Sequence, residues 1–241
     1  YDLDVELLKS LKPDFIVTQD LCDVCAVSFS QVEEACQELL GCKIISLRPK
    51  MLGDIWNDVL STAELLGVKQ KGYEFQEEVD ARIQAVQDRV GNGEQSKPKL
   101  LTIEWIDPIY VGGMWLPEMI QISGGQVCIA ESGQPAPIVS REDLEKLEPE
   151  VVIVKPCGYK LEQTLKEMES LKTQIPWQDW ETRCGTRFYL VDSNSYFNRP
   201  GPRILDSLEI LAHCTHPNLF PEFGQQYKAG MIKLLPGFQF S

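Results

Sequence analysis

The sequence predicts an α/β protein of two lobes with a cleft between them, joined by a long helical spine. Three observations carry this reading. Short apolar strands alternate with amphipathic helices near both ends of the 241-residue chain, the rhythm of a parallel sheet covered by helices. Residues 54–90 between them show helical periodicity and no strand signal. A weak echo also links the two ends. Leu11-Lys-Pro-Asp-Phe-Ile-Val17 and Leu147-Glu-Pro-Glu-Val-Val-Ile-Val154 each read as helix end, proline, acid, buried strand, then a loop holding cysteine.

Taken in order, Val5 to Leu11 forms a short helix that Lys12-Pro13-Asp14 breaks, and Phe15 to Thr18 is a buried strand. A helix follows over Ser30 to Leu40, with Val32, Ala35, Cys36, Leu39 and Leu40 at helical spacing and Gly41 as its stop. Lys43 to Leu47 is the next strand, and residues 1–50 make the first lobe. The spine, 51–96, carries the stripe Ile55, Val59, Ala63 and Leu66, an interruption at Gly67, and a second stripe of Phe75, Val79, Ile83, Val86 and Val90.

The second lobe, 97–217, resumes the alternation. Its strands are Leu100 to Glu104, one near Val127, Val151 to Val154 and Arg187 to Val191. Its helices are one near Pro117 to Ser123, Ser140 to Leu147, Leu161 to Leu171 and Arg203 to His213. Ser140-x-x-Asp143 resembles a capping box with Asp in place of Glu. Residues 218–241 are read as a tail.

Composition narrows the function. Hydrophobic residues at 43% and charged residues at 24% are ordinary for a globular chain. A net charge of −13, with scattered basic residues, argues against nucleic acid and anionic membrane as partners. No apolar run approaches the roughly 20 residues that span a bilayer, so membrane insertion is not expected. Eight cysteines, several in apolar contexts, point to a reducing compartment. A cytoplasmic location is expected from this, with a periplasmic or extracytoplasmic one as the alternative if a signal-bearing segment precedes Tyr1. A monomer is expected.

In open α/β sheets ligands bind outside the carboxyl ends of the strands. That rule selects TQDLCDVC, EWIDPIYVGGMWLPE, KPCGYKLE and DSNSYFNRPGPR. These loops hold Trp105, Tyr110, Trp115, Tyr159, Tyr196 and Phe197, and so many aromatics point to a large, flat or apolar ligand. Trp105 and Phe197 could instead close the core at strand ends. Gly112 and Gly113 permit close backbone approach. Arg199 and Arg203 suit an anionic or amide-bearing ligand, or tie the lobe together through Asp192 and Glu104. No enzyme constellation stands out. His213 and His216 read as a helix C-cap, and no spacing supports Asp20, Asp107 and Glu118 as acid–base partners. No catalysis and no catalytic cofactor are expected.

LKPDFIVTQDLCDVCAVS, EWIDPIYVGGMWLPEMIQISGG and YFNRPGPRILDSLEILAHCTHP together resemble the cobalamin-binding, class III periplasmic-binding-protein-like family associated with ABC importers. The resemblance runs from about Asp4 to Pro217. It implies two α/β lobes on a rigid backbone helix, a ligand in the cleft, an ABC transporter permease as partner, and no catalysis. It further implies Asp20, Cys22 and Cys25 as ligand contacts in the first lobe. In the second it implies Trp105, Asp107, Pro108, Tyr110, Trp115, Glu118, Cys157, Tyr196, Phe197 and Arg199. Family members begin with a further strand and loop, so the first lobe is expected to be incomplete.

The Cys22-x-x-Cys25 pair admits several roles. A thioredoxin-like couple fits the position after a strand, although nothing else of that fold is present. A closed zinc site lacks a second such pair. If the lobes face each other, Cys157 joins Cys22 and Cys25, and three thiols suit a metal centre or a soft-metal ligand. Alternatively these thiols line the cleft or are inert packing residues. With the resemblance, the leading expectation is a protein binding cobalamin or a related corrinoid or metallo-tetrapyrrole. A ferric-chelate or metal-ion binder and a thiol redox enzyme using Cys22 and Cys25 are the alternatives.

Overall fold

The computed structural model describes residues 3–19, 29–37, 41–91 and 96–238. The chain divides into two compact units, one made of Tyr1–Pro49 with Gly53–Tyr73, the other of Lys50–Leu52 with Glu74–Ser241.

The first unit opens with α1 (Val5–Leu11), whose N-cap Asp4 accepts a hydrogen bond from the Leu7 amide at 2.9 Å. None of its residues is buried. Strand β1 (Phe15–Gln19) leads into α2 (Phe29–Gln37) and then β2 (Lys43–Leu47), which pairs with β1 in parallel from Phe15↔Lys43 to Gln19↔Leu47. Val32, Ala35 and Cys36 are the buried positions of α2. Helix α3 (Leu52–Leu65) buries Ile55, Trp56 and Ala63. It ends where Gly67, at φ +73°, donates to Glu64 and Val68 donates to Ala63. This C-terminal stop needs a left-handed residue. Helix α4 (Lys69–Val90) follows at once, and the boundary between the two units falls within it, after Tyr73.

The second unit is built on a six-stranded sheet. It contains β3 (Lys99–Trp105), β4 (Tyr110–Val111), β5 (Gln126–Val127), β6 (Val151–Val154), β7 (Arg187–Val191) and β8 (Met231–Lys233). The path runs β4-β3-β6-β7-β8, with β5 also on β3. Strands β3, β6 and β7 are parallel to one another, and β4 and β8 close the two sides antiparallel. The connecting helices are α5 (Leu116–Ile122), α6 (Arg141–Glu145), α7 (Leu161–Gln174), the single turn α8 (Trp177–Asp179) running into a π-helical turn Trp180–Cys184, α9 (Ile204–Thr215) and α10 (Pro221–Gln226). Ser140 caps α6 by accepting from the Asp143 amide, as its spacing predicted.

Strand alternation sorts the core. Leu101, Ile103, Val152, Val154, Phe188 and Leu190 pack with Met168, Leu171, Trp177 and Trp180. Trp177 stacks on Phe188 with ring centroids 3.6 Å apart, and the Trp180 indole donates to the Leu147 carbonyl. All four residues of β6 are fully buried, the mark of a parallel strand covered on both faces. Residues 218–241, read from the sequence as a tail, carry α10 and β8, and β8 pairs with β7 from Tyr189↔Lys233 to Val191↔Met231.

The part of α4 belonging to this unit is fixed by charge. Arg82 donates to Asp206 at 2.8 Å and to Glu209 at 2.9 Å, and the Tyr227 hydroxyl also bonds Glu209. Below this, Val86 packs with Ala212 and Phe220. Among the described residues, no helix is long and apolar enough to cross a membrane.

Candidate functional site

The central strands β3, β6 and β7 end side by side, and the loops that follow them gather at one edge of the second unit. Lys155 is the first residue after β6; its amide continues the ladder by donating to the Ile103 carbonyl at 2.8 Å. Its side chain is 0% exposed. The ammonium pairs with the Glu104 carboxylate and lies 5.4 Å from the centroid of the Phe197 ring. Strand β3 and the loops after β6 and β7 thus contribute one member each to a buried cation and its partners. An ammonium withdrawn from water needs such a carboxylate.

Next to Glu104, Trp105 points outward. Of the five tryptophans it alone is exposed, at 38%. Its indole donates to the Asp107 carbonyl at 3.1 Å and meets the Tyr159 ring edge-on at 5.6 Å. Trp105, Ile106, Asp107, Pro156, Tyr159, Glu167 and Ser170 line a cavity of about 210 Å³. The backing is rigid. Ser193 bonds the carbonyls of Pro156 and Tyr159, Asn194 donates to Tyr159, and Asn198 donates to Ser193. The loop after β6 is therefore sewn to the loop after β7.

The second of those loops turns on Asp192, which accepts from the Ser195 amide at 2.8 Å. Tyr196 packs edge-on against Tyr227 at 5.7 Å. A Cβ at Gly230 would lie 2.5 Å from the Tyr196 ring, so the close approach requires glycine there. Burial, then the Asp206 and Asp192 carboxylates, push the Tyr196 phenol above its ordinary range. The Arg199 guanidinium donates to Asn194 at 3.0 Å, and Glu104 is taken by Lys155. The alternative sequence reading, in which arginines tie the lobe through Asp192 and Glu104, is replaced by these partners.

The residues expected from the sequence are distributed as follows. Trp105, Asp107 and Cys157 stand at this edge, Cys157 with an exposed side chain and an amide donating to the Glu104 carbonyl. Pro108 follows Asp107 through a cis peptide bond. Tyr110 lies on β4 opposite Trp105. Tyr196 is half-buried and Phe197 is buried. Trp115 is buried at the start of α5, and its indole nitrogen finds no hydrogen-bond partner among the described residues. Glu118, in the first turn of α5, accepts from the Leu52 amide at 2.9 Å. Asp20, Cys22 and Cys25 lie outside the described residues. So does the thiol set that they would form with Cys157. No group of three metal-ligating side chains occurs among the described residues.

Sequence reasoning passed over Lys155, Ser193, Asn198 and Glu167. Lys155 did leave a signal, being a charged residue set between an all-aliphatic strand and a proline, where burial of its stem is unavoidable. Glu167 left none, because its place in the cavity depends on how α7 lies along the sheet.

A family model described as periplasmic binding protein matches residues 1–193. No curated protein matches the chain. Among solved structures, the chain is similar to a periplasmic heme binding protein from Pseudomonas aeruginosa, at 17% identity and TM-score 0.70, covering 90% of this chain and 77% of that one. It is similar to an ABC transporter substrate-binding protein from Listeria monocytogenes EGD-e, at 16% identity and TM-score 0.72, with coverage of 89% and 81%. It is also similar to the periplasmic heme-binding protein RhuT from Roseiflexus sp. RS-1, at 20% identity and TM-score 0.70, with coverage of 90% and 81%.

Proposed function

The chain belongs to the periplasmic binding protein family, and from that premise we propose that it holds a corrinoid, cobalamin or a close relative, without transforming it. The observation that carries this reading is the exposed Trp105 at the carboxyl edge of the second unit, while the other four tryptophans are buried. A part-exposed indole beside a second aromatic ring offers a flat apolar surface on which a ligand can stack. Tyr159 beside it extends the apolar surface, and Asp107 and Ser170 supply polar groups at its margin. A flat macrocycle with polar substituents matches that arrangement. Delivery to an ABC transporter permease follows from the family. On this reading the protein works in the periplasm, the name of its family supporting that over the cytoplasmic location suggested by eight cysteines. Detection of the native protein in fractionated cells decides between the two.

Haem is the second reading, favoured by similarity to two structures of heme-binding proteins. The test is titration of the purified protein with cyanocobalamin, haemin and a ferric hydroxamate, followed by visible absorption and calorimetry. Saturable binding of cyanocobalamin with quenching of tryptophan emission is expected. Binding of haemin or the ferric chelate alone overturns the corrinoid reading in favour of that ligand.

A further inference from the structure

Lys155 and Glu104 form an asymmetric ion pair. The lysine side chain is 0% exposed and the glutamate side chain is 25% exposed. The pair hides its positive member beneath Phe197 and shows only its carboxylate toward solvent. Lys155 occupies Oε1 of Glu104, whereas Oε2 takes no hydrogen bond among the described residues. The pair stands at the carboxyl ends of β3 and β6, beside Trp105. The neighbouring cavity repeats this character. Asp107 and Glu167 line it and no cationic side chain does, the exposed Lys160 and Arg199 included.

We propose that Glu104, held by the buried Lys155, contacts the ligand and favours hydrogen-bond donors such as carboxamides over carboxylates at that position. The inference rests on the reading that the ligand meets this edge, and names the chemistry that the edge selects. An anchored carboxylate accepts a hydrogen bond from an amide N–H without losing rotamer freedom on binding. A ligand carboxylate at the same place meets a like charge that cannot swing away. Lys155 is then a positioning residue. It touches no ligand and acts by fixing the orientation of Glu104.

Corrinoids provide the probe, because each peripheral carboxamide can be hydrolysed singly to a carboxylate. Affinities of cyanocobalamin and of its monocarboxylate derivatives are measured for the wild type, Glu104→Gln, Lys155→Met and Lys155→Arg, with folding checked by circular dichroism. In the wild type, one derivative should bind at least roughly tenfold more weakly than the parent, the scale of one hydrogen bond to a charged group. Glu104→Gln should bring that ratio close to one, since a glutamine can donate to the ligand carboxylate. Lys155→Met should shrink the ratio, and Lys155→Arg should restore it. A change in stability alone does not move the ratio. If either single variant does not fold, the double variant Glu104→Gln with Lys155→Met, which leaves no unpaired buried charge, carries the test. A wild-type ratio that Glu104→Gln leaves unchanged overturns the selectivity and leaves corrinoid binding standing. A wild type that binds no corrinoid overturns the ligand reading, and this inference with it.

Discussion

The two sheets of the molecule are made of similar residues and buried very differently. In the second unit, β6 is Val-Val-Ile-Val with every residue fully buried, and β7 is buried at four of its five positions. In the first unit, β1 has no buried residue and Val17 is 50% exposed, while β2 buries only Ile45. A parallel strand stabilises a fold when both of its faces are covered, and the described part of the first sheet, two strands, has two edges and half-wet faces. The difference teaches where precision resides. The loops around Trp105, Lys155 and Ser193 spring from the densely packed strands, so their side chains are held by a core that resists displacement. The first sheet belongs at the lower end of local stability.

The largest test of that contrast is a pair of truncations. Trp180 is fully buried and its indole nitrogen bonds the Leu147 carbonyl. Trp180→Ala should cost about 3–5 kcal/mol, from lost burial and the cavity left behind. Val17→Ala should change stability by no more than about 0.5 kcal/mol. Urea titrations followed by tryptophan emission and by far-ultraviolet dichroism read both. Similar costs at the two sites would erase the distinction.

Cysteine labelling gives the next largest effect. Burial pushes the Cys128 thiol up to about 12 and the fully buried Cys214 higher still, while Cys157 is exposed at the carboxyl edge. Thiols pushed up by burial carry very little of the reactive thiolate at neutral pH. Cys157, with its exposed side chain, should therefore alkylate faster than Cys128 or Cys214 under native conditions. Cys36, raised chiefly by burial but placed in the first unit, should fall between them, because that unit opens more readily. Peptide mapping by mass spectrometry settles the order. Cys36 reacting as slowly as Cys214 would place the two units at equal stability.

Much of this was legible in the sequence, for reasons that differ from element to element. Strands β3, β6 and β7 announce themselves as apolar runs bounded by breakers. The Ser140 cap and the Gly67 stop follow from local chemistry alone. The carboxyl edge follows from strand direction, so Trp105, Asp107 and Cys157 could be placed there without coordinates. Which loop aromatics face water could not be read. Trp105 and Trp115 have similar neighbours in sequence, yet one is exposed and the other buried, because burial in a loop is decided by distant residues. Strand β8 escaped notice because three residues with one charge carry too little periodicity. Lys155 escaped because its partner Glu104 lies 51 residues away.

A smaller effect tests how the second unit holds α4. Arg82 bridges Asp206 and Glu209, and these carboxylates hold its guanidinium firmly protonated against the cost of burial. Arg82→Met keeps the aliphatic stem and leaves Glu209, 9% exposed, with Tyr227 as its remaining partner. The expected loss is about 2 kcal/mol, below the cost of breaking a fully buried pair because Arg82 and Asp206 are partly wet. Hydrogen exchange should show the loss in α9 and the second half of α4, with β1 and β2 unchanged. Equal loosening of β1 would mean that the ion pair stabilises the whole chain.

The smallest effect is a pH dependence whose sign differs between the units. Both histidines lie in the second unit. Burial, with the nearby Arg187 adding to it, lowers the His216 pKa against the hydrogen bond to the Gly124 carbonyl. Above an unfolded value of about 6.5 the ring is neutral in both states and contributes no pH dependence. As pH falls from there, the unfolded chain takes up a proton that the folded one resists, so the second unit loses stability until the lower folded pKa is reached. Asp58 of the first unit runs the other way. Burial, then the neighbouring Asp54, raises its carboxyl against an amide hydrogen bond from Arg48, and its Oδ2 is buried with no hydrogen-bond partner among the described residues. The folded first unit therefore holds that proton more tightly than the unfolded chain does. Its stability is full below an unfolded value of about 3.9 and declines as pH rises through the folded value. Acidification from pH 7 to pH 4 should thus weaken protection of β6 and β7 amides while strengthening that of β1 and β2, after correction for intrinsic exchange rates. His216→Asn should remove the first trend and Asp58→Asn the second. Parallel trends in both sheets, surviving both substitutions, would show that neither group sets the pH response of its unit.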